Sequence, residues 1–140
     1  MRIITALGLI FLAQLPLGAS AASCAGGDPA ITSVKVGNVS SNGGLTSYTI
    51  DGVVANLGSA RQASNVLQFV DIYQGKTRLD VRGIPPLAPG QNYAWSYVWH
   101  RASDAGSGTT TLRLSLRMVQ PPGVGSEDCN ASNDFNSVTF

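Results

Sequence analysis

The sequence predicts an all-β chain folded as an antiparallel sandwich of two sheets. Three observations carry this. Aromatic rings fall on every second residue at Tyr93, Trp95, Tyr97 and Trp99, which is the period at which a strand presents one face. Thr109 to Met118 alternates cleanly, with Thr110, Leu112, Leu114, Leu116 and Met118 facing one way and Thr111, Arg113, Ser115 and Arg117 the other. The intervening segments are short and rich in Gly, Pro, Asn and Ser, and no segment of the remaining chain has a helical period.

The first 21 residues stand apart. Arg2 supplies a positive start, Ile3 to Leu17 is an apolar run interrupted by Gln14 and Pro16, and Ala19-Ser20-Ala21 is a small-residue cleavage signal. This is the pattern of a cleaved signal peptide, residues 1–21. The run is too short for a membrane span, and no other run is long enough to be one. The expected mature chain, residues 22–140, is then a single domain of 119 residues (140 less 21), large enough to bury a real core. Its expected location is outside the cytoplasm, periplasmic or extracellular.

Taken in order, Ile31, Val34 and Val36 mark a first strand over Ala30 to Val39, whose imperfect alternation fits an edge or a bulge. Ser40 to Gly44 is a turn. Thr46 to Asn56 is a second strand; Asp51 belongs outside, because an unpaired carboxylate is costly to bury, so Tyr48, Ile50, Gly52 and Val54 face in. Asn65 to Gln74 is a third. Asp71 puts Val70 and Ile72 inside and leaves Leu67 and Phe69 in need of a bulge or a partner surface. Gln74-Gly75-Lys76 turns into a short strand over Thr77 to Val81, with Leu79 and Val81 facing in, and the prolines of the Gly83 to Pro86 segment are expected to end it. Leu87-Ala88-Pro89-Gly90-Gln91 turns into the aromatic strand, Asn92 to His100. A loop of small residues leads to the Thr109 to Met118 strand, and Asn136 to Phe140 closes the chain with Val138 and Phe140 facing in. Seven short antiparallel strands argue for an immunoglobulin-like sandwich.

Charge narrows the partners. Nine Lys and Arg stand against eight Asp and Glu, and charged residues are 12% of the chain. Without Arg2 the mature chain is formally neutral, which disfavours a general nucleic-acid binder. Strand parity nevertheless gathers its cations. Arg113 and Arg117 face out, as does Arg78, and Lys76 and Arg82 share the parity of Arg78. These five form a candidate basic binding face, partly offset by Asp80 and Asp71, and suited to an anionic glycan, lipid headgroup or acidic protein.

The two cysteines, Cys24 and Cys129, lie near the ends of the mature chain. In an exporting compartment they are expected to pair, closing a loop of 105 positions (129 − 24), worth up to about 4–5 kcal/mol in the chain-entropy model. The competing reading makes Cys24 a lipidated N-terminal residue of a membrane-anchored envelope protein; Ala21 stands where such signals usually carry Leu.

The order of several short motifs resembles one family. Val54-Ala55-Asn56-Leu57-Gly58, then Leu87-Ala88-Pro89-Gly90-Gln91, then the strand through Trp99, then Cys129-Asn130-Ala131-Ser132-Asn133-Asp134 before a final strand, is similar to the bacterial cell-adhesion-related domain CARDB. The resemblance spans about Asp28 to Phe140. It implies a seven-stranded sandwich in a surface or secreted protein, and it implies neither enzyme chemistry nor a cofactor.

Chemistry elsewhere is sparse. His100 is the sole histidine. With Ser103 and Asp104 it suggests a base–nucleophile pair, but a polar residue ending a strand is the simpler expectation. One histidine excludes a blue-copper site. Glu127, Asp128, Asn130, Asn133 and Asp134 are oxygen-rich, yet lack the Gly-containing spacing of a Ca²⁺ loop and suit side-chain-to-backbone turns. No metal or cofactor is expected. The Tyr93–Trp99 row is read as core in preference to a sugar-stacking platform. The expected function is therefore an exported, non-catalytic module for protein or glycan interaction, adhesion-related in type, with a small hydrolase or enzyme inhibitor as the alternative.

Overall fold

The computed structural model describes residues 25–102, 105, 106, 108–122 and 128–140. The expected signal peptide, Cys24, Ser103, Asp104 and Glu127 lie outside the described residues. Seven strands follow one another: β1 (Pro29–Asn42), β2 (Leu45–Asn56), β3 (Leu67–Gln74), β4 (Thr77–Ile84), β5 (Asn92–Ala102), β6 (Thr111–Val119) and β7 (Phe135–Thr139), with a 3-10 turn at Ala131–Asn133. All pairings are antiparallel. They build a three-stranded sheet in the order β1-β2-β5 and a four-stranded sheet in the order β4-β3-β6-β7. β1 also packs along β7. The sandwich is thus closed on that side and open where β5 and β4 form the edges.

The inner faces follow the alternation. Ile50, Val54 and Trp95 from one sheet meet Val70, Ile72, Leu112, Leu114 and Leu116 from the other, all buried. Trp95 pairs across β2 with Gly52, and a Cβ built at Gly52 would overlap its ring. A mid-strand glycine, ordinarily a weakness, here makes room for an indole. Tyr97 and Trp99 pack half-buried against the core, and Tyr93, at the strand start, is the exposed member of the row. Tyr48, Trp99 and Phe140 form a cluster with centroids 4.6–5.7 Å apart, so the last residue of the chain covers one end of the core.

At the other end the short motifs interlock. The buried Asn56 amide accepts from the backbone of Asp28 and Gly58 through Oδ1 and donates to the carbonyls of Ala60 and Leu87 through Nδ2. Gly90 N–H donates to Asn56 O, and Asn56 N–H to Gln91 O. Gly90 takes a φ of 71°, which glycine adopts without strain. Gln62 Oε1, also buried, accepts from Leu87 N–H and from Gln68 Nε2. The Asn-x-Gly and Leu-x-Pro-Gly turns are one hydrogen-bonded hub, which accounts for those residues structurally.

One expectation fails in β4. The strand does not stop at Val81: Gly83 and Ile84 pair with Phe69 and Gln68, and it ends only before Pro85, the first residue without a donor. Within it Tyr73 pairs with Arg78 but Ile72 with Asp80, so Leu79 is the extra residue of a bulge. An extra residue reverses the parity that follows. Leu79 still packs on the core. Val81 now stands beside Asp71 on the outer side, whereas Asp80 and Arg82 take the side of Ile72 and Val70. Arg82 therefore leaves the expected basic face. Its guanidinium lies 5.9 Å from the Tyr97 ring and 2.6 Å from the Asp80 carboxylate, plugging the open side between the sheets. Burial first, then Asp80, raises the Tyr97 phenol above its ordinary value.

Candidate functional site: the outer face of the four-stranded sheet

The outward residues of β3 are Leu67, Phe69, Asp71 and Tyr73. Register places Val119, Arg117, Ser115 and Arg113 of β6 directly across from them. β7 adds Phe135 beside Ser115 and Ser137 beside Arg113. β4 adds Arg78 beside Tyr73 and Val81 beside Asp71. Residues paired across neighbouring strands share a face and touch, so these side chains make one continuous surface.

Its centre is a buried carboxylate. Asp71 lies on the outer side, as its charge requires, yet its side chain is only 3% exposed. Arg117 covers it, with Nε 2.7 Å from Oδ2 and Nη2 3.3 Å from Oδ1, and Arg78 stands 3.7 Å away on the other side. The hydrogen bond to Asp71 raises the Arg117 pKa. The same guanidinium sits 4.7 Å from the Phe69 ring, and that of Arg113 sits 5.2 Å from the Tyr73 ring. A cation over an aromatic face is attracted by the ring's negative π-surface. Among the described residues no carboxylate pairs with Arg113 or Lys76. Arg78 and Arg117 thus flank a single acid, with Arg113 further along the same face. Beside them Leu67, Val119 and Phe135 are 57%, 44% and 60% exposed.

Register thus places Arg78, Arg113 and Arg117, three of the five residues that parity selected, on one face. Lys76 lies in the tight β3–β4 turn, exposed, near Arg78; Arg82 faces away. Sequence reasoning gave Leu67 and Phe69 a bulge or a partner surface, but did not join Phe69, Tyr73 or Phe135 to the basic face. The signal for the first two was present, since with Val70 and Ile72 inside, Leu67, Phe69 and Tyr73 must face outward.

The remaining candidates are spent on structure. His100 does not end its strand as expected, because β5 continues to Ala102; it lies exposed within β5, where Nδ1 is 2.9 Å from Ser47 Oγ, and among the described residues no carboxylate is hydrogen-bonded to it. Arg101 lies 5.4 Å from the Trp99 ring and 5.8 Å from the Tyr48 ring and donates to Thr110 Oγ1. In the oxygen-rich turn Asn130 N–H donates to Asp128, Ser132 Oγ to Asn130, and Asn133 Nδ2 to the buried Asp28. Asp134 is pushed up to about 7, by burial first and then by the like charges of Asp128 and Asp28. Among the described residues no group of three or more His, Cys, Asp and Glu is placed to hold a metal ion. Nor, among them, is any helix long and apolar enough to cross a membrane.

No family model matches the chain, and no curated protein sequence matches it. A solved structure does. The solution NMR structure of a CARDB domain from Pyrococcus furiosus is similar to this chain with a TM-score of 0.52 at 17% sequence identity, covering 80% of this chain and 93% of that one. The chain has the two-sheet fold of a CARDB domain.

Proposed function

We propose that the protein is an exported, non-catalytic β-sandwich module, adhesion-related in type, that binds an anionic protein or glycan surface through the outer face of its four-stranded sheet. The observation that carries this is the arginine–aromatic array: Arg113 over Tyr73 and Arg117 over Phe69, bordered by exposed Leu67, Val119 and Phe135. Arg and aromatic residues are the types enriched where interfaces hold their energy, and pre-stacked guanidinium groups lose little entropy on meeting a carboxylate or sulfate. The expected mature chain, formally neutral, places Arg78, Arg113 and Arg117 on this face.

Export and a Cys24–Cys129 bond belong to the same reading. Cys129 N–H donates to Gly27 O at 3.2 Å and its Sγ lies 3.3 Å from that oxygen, so the segment three residues beyond Cys24 is tied directly to Cys129. Intact-mass analysis of native protein is expected to show a chain starting at Ala22 with no titratable thiol. A diacylglyceryl mass on Cys24 would make the protein membrane-anchored instead.

Binding is tested by titrating the folded mature protein with heparin and with poly-glutamate over a salt series. Affinity is expected to fall as salt rises and to drop at least about tenfold in Arg113→Glu, a variant that leaves the Arg117–Asp71 pair intact. Equal affinity in that variant, or no binding of either probe at low salt, overturns the assignment of this face.

A further inference from the structure

A sandwich open on one side has edge strands, and unpaired edges invite pairing with other chains. Four strands are edges here, and three are protected. β1 is broken by register shifts at Ile31/Ser33 and Val36/Val39 and packs along β7. β7 is five residues long. β4 carries the bulge at Leu79 and turns Asp80 and Arg82 inward at its edge. β5 has none of these devices. It runs 11 residues and pairs with β2 without a register shift from Asn92 to Ala102. It contains no proline, and no Lys, Arg, Asp or Glu before Arg101. Among the described residues its one extensive strand neighbour is β2.

We propose that β5 is a homodimerisation edge, pairing antiparallel with β5 of a second copy to make one six-stranded sheet. The occupant follows from self-complementarity. A two-fold axis at Tyr97 sets Trp95 against the partner's Trp99, Ser96 against the partner's Val98 and Tyr93 against the partner's Arg101. The first pair extends the aromatic row across the axis. The last is a cation–aromatic pair of the kind Arg101 already makes with Trp99 and Tyr48: Tyr93 is 37% exposed, and both residues lie on the inner side of the sheet. On the outer side the facing residues are small or apolar, Ala94, Ser96, Val98 and Ala102, with His100, so no like charges meet. An axis perpendicular to the sheet makes this an isologous contact and turns both four-stranded faces to the same side. A ligand with repeated anionic groups would then meet two faces at once, with the gain in avidity that this brings.

The test is sedimentation equilibrium of the mature protein. Its mass is expected to rise from one chain toward two as concentration is raised to about 1 mM, the regime of a weak, transient contact. Val98 is 45% exposed on the outer side. In the pairing described, two copies of this residue lie diagonally across the axis, roughly 7–8 Å apart. Val98→Lys and Val98→Glu are therefore each expected to stay at one-chain mass with unchanged melting and far-UV spectra, while an equal mixture of the two regains two-chain mass. A wild type that keeps one-chain mass throughout overturns the proposal, as does undiminished association of either folded variant. A mixture that stays at one-chain mass overturns the antiparallel register.

Discussion

The two sheets of this sandwich bury similar aliphatic faces but present unlike outer ones. The three-stranded sheet shows Ser47, Thr49, Asp51 and Val53 on β2, with Ser96 and Val98 across from them on β5. Its polar contacts are small: Ser96 Oγ donates to a half-exposed Asp51, and Ser47 meets His100. The four-stranded sheet instead holds a carboxylate that is 3% exposed beneath two arginines, with aromatic rings on both sides. A solvated face gains little from such an arrangement, because covering an acid with long cationic side chains has a desolvation cost. A face that must keep guanidinium groups rigid and aimed gains orientation from it. On the proposed function, the difference separates a solvated surface from a binding one.

The largest effect that separates the faces is on stability. Arg117→Ala leaves Asp71 buried with only Arg78 for company, and it is expected to cost about 2–4 kcal/mol. Ser96→Ala, which removes the equivalent contact to Asp51 on the other face, is expected to cost about 1 kcal/mol or less. Urea denaturation of the two variants measures both. A small loss for Arg117→Ala would reduce the two faces to the same kind of surface.

Next is binding. Lys35→Glu, on the three-stranded sheet, is expected to leave affinity for heparin within about twofold of wild type, against the tenfold or greater drop for Arg113→Glu. Equal losses would mean that net charge, and not one face, governs association.

A smaller effect comes from the seam between the sheets, where the oxygen-rich turn meets the buried Asp28. The Asp134 carboxyl, raised to about 7, holds its proton in the fold at pH values where the unfolded chain has released it. Its contribution is fully present below the ordinary carboxylate range and is lost as pH rises through about 7. Calorimetry is expected to show a lower melting temperature at pH 8 than at pH 6, with the difference reduced in Asp134→Asn.

Much of this was legible in the chain. Rigid alternation located β6 and β5, and the cost of burying Asp51 set the facing of β2. Asp71 set the facing of β3 by the same logic, although its own near-complete burial was not readable, because that depends on Arg117 and Arg78 arriving from two other strands. The bulge at Leu79 was invisible for a related reason. Thr77 to Val81 reads as a strand with Leu79 and Val81 facing in, and only pairing with β3 shows that one residue is extra. That one residue moved Arg82 from the outer face to the Tyr97 edge. The Asn56 hub was seen as a sequence motif, but two of its four side-chain hydrogen bonds, to Asp28 and Leu87, reach segments far away in the chain.

The most direct test of the outer-face assignment is an amide NMR titration of the folded mature protein with a short heparin fragment. The account predicts shift changes confined to Phe69–Tyr73, Arg113–Arg117 and Phe135–Ser137, weakening as salt is raised. Changes confined to the outer residues of β1, β2 and β5, or none at low salt, would contradict it.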